Sequence, residues 1–222
     1  MNIHTESLSE QFVNLIMEMI MNKELVAGEQ VPTKKIADDH GVSVMPVRLA
    51  LRELADRKIV VNRSRVGYFV AEYSVDELIR LSNCRRMFEM YCLEHYFDSL
   101  DLEKLHALYD SIRDNIGDHF NNLTYQKDDA ILHSSFVLAS HNEFILTQYN
   151  QVKDLFSLCI IYDSDNMEHN YLSRTEHMRM LDYIFKKKKD AALLELKNHL
   201  DRTDRTIIEL GETNRLKESP AV

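Results

Sequence analysis

Along most of this chain apolar residues recur three and four positions apart, the spacing that lines one face of an α-helix. Phe12, Leu15, Ile16, Met19 and Ile20 follow it and predict a helix over residues 9–22. Gly28 and Pro32 punctuate the next stretch. Thr33 is placed to cap a short helix through residue 40, with Ile36 and Ala37 turned inward. Gly41 supplies a tight turn, and Ser43 can cap a helix running to about residue 57. That helix presents Val47, Ala50, Leu51 and Leu54 on its apolar face, and Pro46 is tolerated because it falls in the first turn.

The period then changes. Residues 58–62 are short and β-branched, and Gly67-Tyr68-Phe69-Val70 is a second strand-like run, with a polar Arg63-Ser64-Arg65 turn between them. Helix, helix, short turn, helix and hairpin is the order of a winged helix-turn-helix. From residue 74 the pattern is helical to the end. Ser74-Val75-Asp76-Glu77 reads as a capping box opening a helix over 74–97, with further helices over 102–119, 123–140, 143–162, 172–187 and 190–210. The predicted architecture is mostly α: a winged helix-turn-helix with a small β-hairpin over 1–72, an all-α bundle over 73–212, and a tail over 213–222.

Composition agrees with helices: Gly (5) and Pro (3) are scarce, with 45% apolar and 28% charged residues in a chain of 222. No apolar run approaches the roughly 20 residues needed to span a bilayer, and the polar start lacks the regions of a signal peptide. Cys84, Cys92 and Cys159 are odd in number and widely spaced, reading as reduced core residues of a cytoplasmic protein. The net charge of −9 argues against nucleic acid only when averaged over the chain. Residues 30–66 hold eight basic and four acidic side chains, so the acidity lies elsewhere.

A second helix of this motif enters the major groove and points its N-terminal side chains at base edges. The candidates here are Ser43, Val44, Met45 and Arg48, with Thr33, Lys34 and Lys35 placed for phosphates and the wing residues Arg63, Arg65 and Gly67 for the adjacent minor groove. Singly, each charge also fits a solvated helix face; the turn, the Ser43 cap and the wing together favour double-stranded DNA.

Gly28-Glu29-Gln30-Val31-Pro32, Ile36-Ala37, the string from Gly41 through Pro46-Val47-Arg48 to Leu51, Leu54 and Gly67-Tyr68-Phe69-Val70 resemble the GntR family of bacterial regulators over about residues 8–72. Two departures stand out. That family usually carries Arg directly after the Ser, where this chain has Val44, and its Ser-Glu-Arg-like segment is replaced by Thr33-Lys34-Lys35. Val44 donates no hydrogen bond, so the resemblance implies an atypical operator, with a thymine methyl against Val44 or Met45 as one form of readout.

Asp129 and His133 lie four apart and share a helix face, while His177 and His199 fall on later helices. Three imidazoles and a carboxylate in a bundle core can bind Zn²⁺, Ni²⁺ or Mn²⁺. Spacing alone favours a helix-surface hydrogen bond between Asp129 and His133 over a metal site. Residues 74–212 further resemble the FCD sensor domain of the FadR subgroup. The marks are Arg86-Met87-Phe88-Glu89, Asp129-x-x-x-His133 with His141-Asn142, Glu176-His177, and Asp190-Ala191 leading to His199. That resemblance implies Asp129, His133, His177 and His199 as ligands of a divalent metal.

It further implies a homodimer and an organic acid effector bound at the metal. Arg86 is the candidate counter-charge, with an internal salt bridge to Glu89 or Glu94 as its alternative role. A purely structural metal, with an apolar ligand among Phe88, Phe120, Phe136, Phe144 and Phe156, stays open. The chain holds no Gly-rich phosphate loop, serine elbow or His-Glu-x-x-His helix, which argues against an enzyme.

Overall fold

The computed structural model describes residues 7–115, 120–161 and 167–212, with 157–161 and 167–169 as backbone alone. Two compact units divide the chain, Met1–Glu72 and Tyr73–Val222.

The first unit opens with α1 (Leu8–Met21), started by a capping box in which Ser7 and Glu10 satisfy each other's backbone N–H groups. Phe12, Val13, Ile16 and Ile20 are its buried stripe. Helix α2 (Thr33–Asp39) and helix α3 (Val44–Asp56) come next. Gly41, at φ 65, makes the turn between them, a conformation glycine enters without a Cβ penalty. Val47, Ala50, Leu51 and Leu54 of α3 are wholly buried, and α3 packs on α1 and α2.

Two caps differ from expectation. Thr33 is the first helical residue after Pro32, and its hydroxyl donates to the Val31 carbonyl instead of accepting from the helix. Ser43 does occupy the position before α3 in extended conformation, but its side chain makes no capping bond.

Strands β1 (Val60–Arg63) and β2 (Gly67–Val70) pair antiparallel, with Val60 opposite Val70 and Arg63 opposite Gly67. The segment before α2 adds a short third edge: Val31 N–H donates to the Tyr68 carbonyl at 2.8 Å, and Gln30 bridges Phe69. This edge is not legible as a strand in the sequence, because Pro32 ends it after a single pairing.

The second unit holds α4 (Val75–Tyr96), a 3₁₀ turn at Phe97–Ser99, α5 (Leu102–Asp114), α6 (Asn122–Leu138), α7 (Glu143–Ile161), α8 (Met167–Phe185) and α9 (Lys189–Glu212). The Ser74 capping box is present, with Ser74 and Glu77 reciprocally bonded. Leu93, Leu105, Leu132, Phe136, Met180, Leu181, Leu196 and Leu200 form the main core. Helix α5 runs Leu102–Asp114 and is capped at Asn115, whose side-chain amide bonds to both the N–H and the carbonyl of Asn121. Helix α8 starts at Met167, before the predicted 172. The predicted helix ends at 119 and 162, the Cys159 side chain and the tail over 213–222 lie outside the described residues. Among the described residues no helix is long and apolar enough to cross a membrane.

Helix α4 carries polar residues on a core-facing stripe. Its buried positions are Leu78, Ser82, Arg85, Glu89, Cys92 and Leu93. The spacing is that of an inward face, yet its middle is polar. Helix α6 is similar, burying Gln126, Asp128, Asp129 and His133 beside Leu132, Phe136 and Val137.

Candidate metal centre and nucleic-acid interface

Asp129, His133, His177 and His199 come together inside the second unit, each 3% exposed or less. Each offers one ligand atom, and the four atoms lie within 4.8 Å of one another. His177 Nε2 is the hub: 3.4 Å from His133 Nε2, 3.4 Å from His199 Nε2 and 3.5 Å from Asp129 Oδ1. Two donors that share one Zn²⁺-sized cation at roughly 2.1 Å sit about 3.4 Å apart in a tetrahedral shell, so the spacing fits the donor set.

The outer nitrogens explain how the imidazoles are aimed. His133 Nδ1 lies 2.6 Å from Glu89 Oε2, and His199 Nδ1 lies 2.7 Å from Glu176 Oε2. With both glutamates accepting at Nδ1, the Nε2 atoms of His133 and His199 present bare lone pairs to the centre. Each glutamate is itself held by an arginine. Arg85 Nε donates to Glu89 Oε1 at 2.8 Å, and Arg202 donates to both Glu176 oxygens at 2.8 and 2.7 Å.

Burial sets the charge states. It pushes the His133 imidazole well below its ordinary value, an effect Arg85 reinforces and Asp129 opposes. His177 is lowered in the same way by burial and by its two histidine neighbours. Both are therefore neutral near pH 7, the form that ligates a cation. Burial raises the Glu89 carboxyl, which the Arg85 guanidinium opposes. Burial would raise Glu176 too, but hydrogen bonds from His199 and Arg202 bring it down to about 2. Buried Arg85 stays firmly protonated against the cost of burial through Glu89 and Asp129.

A cavity of about 210 Å³ borders Asp129 and His133, with Arg85, Tyr149, Lys153 and Phe156 among its walls. Tyr149 is 4% exposed, and burial keeps its phenol protonated, so it faces the cavity as a donor. Among the aromatic candidates Phe156 is a wall and Phe136 is core, whereas Phe144 is 77% exposed.

Arg86 departs from its expected place. It pairs with Asp201 at 2.8 Å and Asp204 at 2.7 Å on α9, with neither Glu89 nor Glu94. Consecutive residues on a helix diverge by about 100°, so only one of the adjacent arginines can lie on the inner stripe. That one is Arg85.

In the first unit, Thr33, Lys34, Lys35, Val44, Arg48, Arg65 and Gly67 line one groove of about 790 Å³, joined by Gln30, Asn62 and Tyr68. The last three carry no sequence signal: a polar or aromatic residue on a strand does not announce the groove beside it. Ser43 and Met45 lie at the exposed start of α3. Lys34, Lys35, Arg48 and Arg65 are exposed and make no ion pair among the described residues. Arg63 is turned back, its guanidinium 4.1 Å over the Phe69 ring and 4.0 Å from Glu72, so Arg65 is the freer arginine of the wing.

Residues 8–70 match the model of the bacterial regulatory proteins of the gntR family, and residues 80–202 match that of the FCD domain. The chain is 26% identical over 212 residues to a protein named the HTH-type transcriptional regulator YdhC of Bacillus subtilis (strain 168), covering 92% of this chain and 94% of that one. A GntR regulator structure from Rhodococcus sp. RHA1 superposes with a TM-score of 0.79 at 18% identity, covering 92% of this chain and 99% of that one. The FCD domain of TM0439, solved with Zn²⁺ bound and metal-free, superposes with TM-scores of 0.56 and 0.57 at 26% identity. It covers 63% of this chain and 97% and 96% of those chains.

Proposed function

This chain belongs to the gntR family of bacterial regulatory proteins and carries an FCD domain, and from that premise we propose a metal-dependent sensor of a small organic acid. It is a transcriptional regulator with a DNA-binding domain, and its relatives are named as regulators, not enzymes. In the proposed reading residues 1–72 dock on operator DNA, and residues 73–212 bind metal and effector and make a homodimer in the cytoplasm. Lys34, Lys35 and Thr33 contact phosphates, Arg48 and the residues at the start of α3 enter the major groove, and Arg65 reaches the minor groove.

The observation that carries the sensor reading is the convergence of four buried donors on His177 Nε2, beside a cavity large enough for a small acid. Asp129, His133, His177 and His199 would hold the ion, and the Zn²⁺-bound FCD domain of TM0439 supports that role. When bound, the ion supplies positive charge for a carboxylate. Arg85 and Tyr149 orient the acid from the cavity wall, as guanidinium and phenol donors do for planar carboxylates. Charge balance supports an anion: among the buried groups Glu89 and Asp129 outnumber Arg85 by one, so a divalent ion would leave one positive charge over beside the cavity. Operator affinity then changes by the acid's differential affinity for the two arrangements of the dimer.

The test is a thermal-shift screen of the full chain against mono-, di- and hydroxycarboxylates, with and without Zn²⁺, Ni²⁺ or Mn²⁺, repeated on His199→Ala. A shift that needs both metal and acid, and is lost in the variant, supports the sensor. A shift from metal alone, whatever the acid, supports a structural ion; no shift from any metal overturns the metal assignment and leaves the DNA-binding domain untouched.

A further inference from the structure

We infer that this regulator reads thymine methyl groups through an apolar ridge on α3 formed by Met45 and Leu49. Both are large apolar residues left exposed, 63% and 51%, on a helix whose opposite side is wholly buried. Val47, Ala50, Leu51 and Leu54 supply that buried side. Met45 and Leu49 are four positions apart and therefore stacked one turn above the other on the outer side.

What surrounds the ridge identifies its occupant. Arg48 and Arg52 flank it, both exposed and without an ion pair among the described residues. Lys34, Lys35 and Arg65, in the groove beside the start of α3, are likewise unpaired. A surface of unpaired cations around an apolar strip complements a polyanion with an apolar feature in its groove. A protein partner would have to bury those guanidinium groups. In the DNA major groove the phosphates take the cations, and the thymine C5-methyl is the apolar group a side chain meets there.

The spacing decides how many bases are read. Four residues of α-helix rise about 6 Å, while base pairs stack about 3.4 Å apart, so the two side chains reach methyls about two base pairs apart. Neither side chain donates or accepts a conventional hydrogen bond. Discrimination at those positions therefore rests on methyl burial and on exclusion of the cytosine amino group, which would lose its water against Leu49. Val44, half-buried and turned toward the groove with Arg48, reinforces the apolar character.

The inference rests on α3 being the groove-entering helix of the proposed function, and the experiment separates the two. Operator is selected from a random duplex pool with the full-length, metal-loaded protein. Each thymine of a selected half-site is then replaced singly by deoxyuridine, which removes only the methyl. Two positions per half-site, about two base pairs apart, should each weaken binding about fourfold, the fold-change for one buried methyl group. Leu49→Ala should abolish the difference at one of them and Met45→Ala at the other. Equal affinity for thymine and deoxyuridine everywhere, or a pool with no thymine preference, overturns the methyl reading. Arg48→Ala is the control for docking. If it weakens all duplexes alike while deoxyuridine is silent, α3 is in the groove and the ridge does not read methyls. If Arg48→Ala and Lys34→Ala are both silent, the docking face itself is wrong and the ridge reading falls with it.

Discussion

Glu89 accepts from Nδ1 of His133 at 2.6 Å, joining α4 to α6 through the one imidazole nitrogen that faces away from the metal centre. The bond fixes both the tautomer and the tilt of the ring. Glu89→Gln keeps the size but offers an amide where a full carboxylate stood. The expected result is a 10- to 100-fold loss of Zn²⁺ affinity with unchanged helical content, read by competition with a chromophoric chelator. Unchanged affinity would mean that packing alone holds His133.

Removing the ion should be felt as stability. A ligand present at about 100 times its dissociation constant contributes about 2.7 kcal/mol to the folded state. For a chain of this size that is a fall of roughly 5–10 °C in Tm on chelation. His177→Ala, which deletes the hub of the cluster, should melt at the same temperature with and without chelator.

Arg85 and Arg86 are adjacent in sequence and should fail differently. Arg86→Ala breaks the partly exposed pairing to Asp201 and Asp204 and should cost about 1–2 kcal/mol in urea denaturation, with metal affinity unaltered. Arg85→Ala leaves Glu89 and Asp129 without their buried counter-charge. The expected cost is about 3–5 kcal/mol, together with loss of any carboxylate response. Equal effects would remove the distinction between an inner and an outer arginine.

Cys92 gives a pH dependence on the alkaline side. Its thiol is wholly buried, and burial, aided by the Glu89 charge, pushes it up to about 11 from an ordinary value of 9.0. The folded value lies above the unfolded one. Its contribution is therefore full below about pH 9 and is lost as pH rises toward 11, because the unfolded chain releases the proton first. Cys92→Ala should flatten the fall in urea midpoint between about pH 9 and 10.5. At about pH 8 the Cys92 thiol should alkylate about 100-fold more slowly than a free thiol, as read by peptide mass mapping.

Local signals carry most of the fold. The Ser74–Glu77 capping box, the inward faces of α1 and α3 and the Arg63-Ser64-Arg65 turn all depend on neighbours within a few residues, so spacing reveals them. Ser43 and Thr33 are harder, since a hydroxyl at a helix start can cap, bond backward or do neither, and only the surrounding chain decides. The four clustered donors are readable through their resemblance to a known domain; from spacing alone Asp129 and His133 read first as a surface pair. The outer carboxylates escape as functional groups although Glu89 and Glu176 stand within recognised motifs. Their partners are 44 and 23 residues away, and no periodicity records such a contact. Arg85 is lost to Arg86 for a different reason. The 78, 82, 85, 89, 92 stripe of α4 is a core pattern with polar residues in it, and a search for apolar spacing passes over it.

The four candidate donors would also divide a metal-loaded chain into closed lengths. His133 and His177 are 44 residues apart, and His177 and His199 are 22. Ligands held on one ion act as a cross-link, and by loop-closure entropy rings of those lengths restrict the unfolded chain by about 4 and 3 kcal/mol. Helix α7 lies wholly within the larger ring and contributes no donor to the cluster among the described residues, yet it carries Tyr149, Lys153 and Phe156 of the cavity wall. The floor of the cavity would therefore be tethered through the ion, whereas this wall is held by the packing of Tyr149 and Phe156 against Cys92 of α4 and Val137 of α6. With an ion bound, ring closure would stabilise the α6, α8 and α9 side of the cavity, while the α7 side would depend on packing alone.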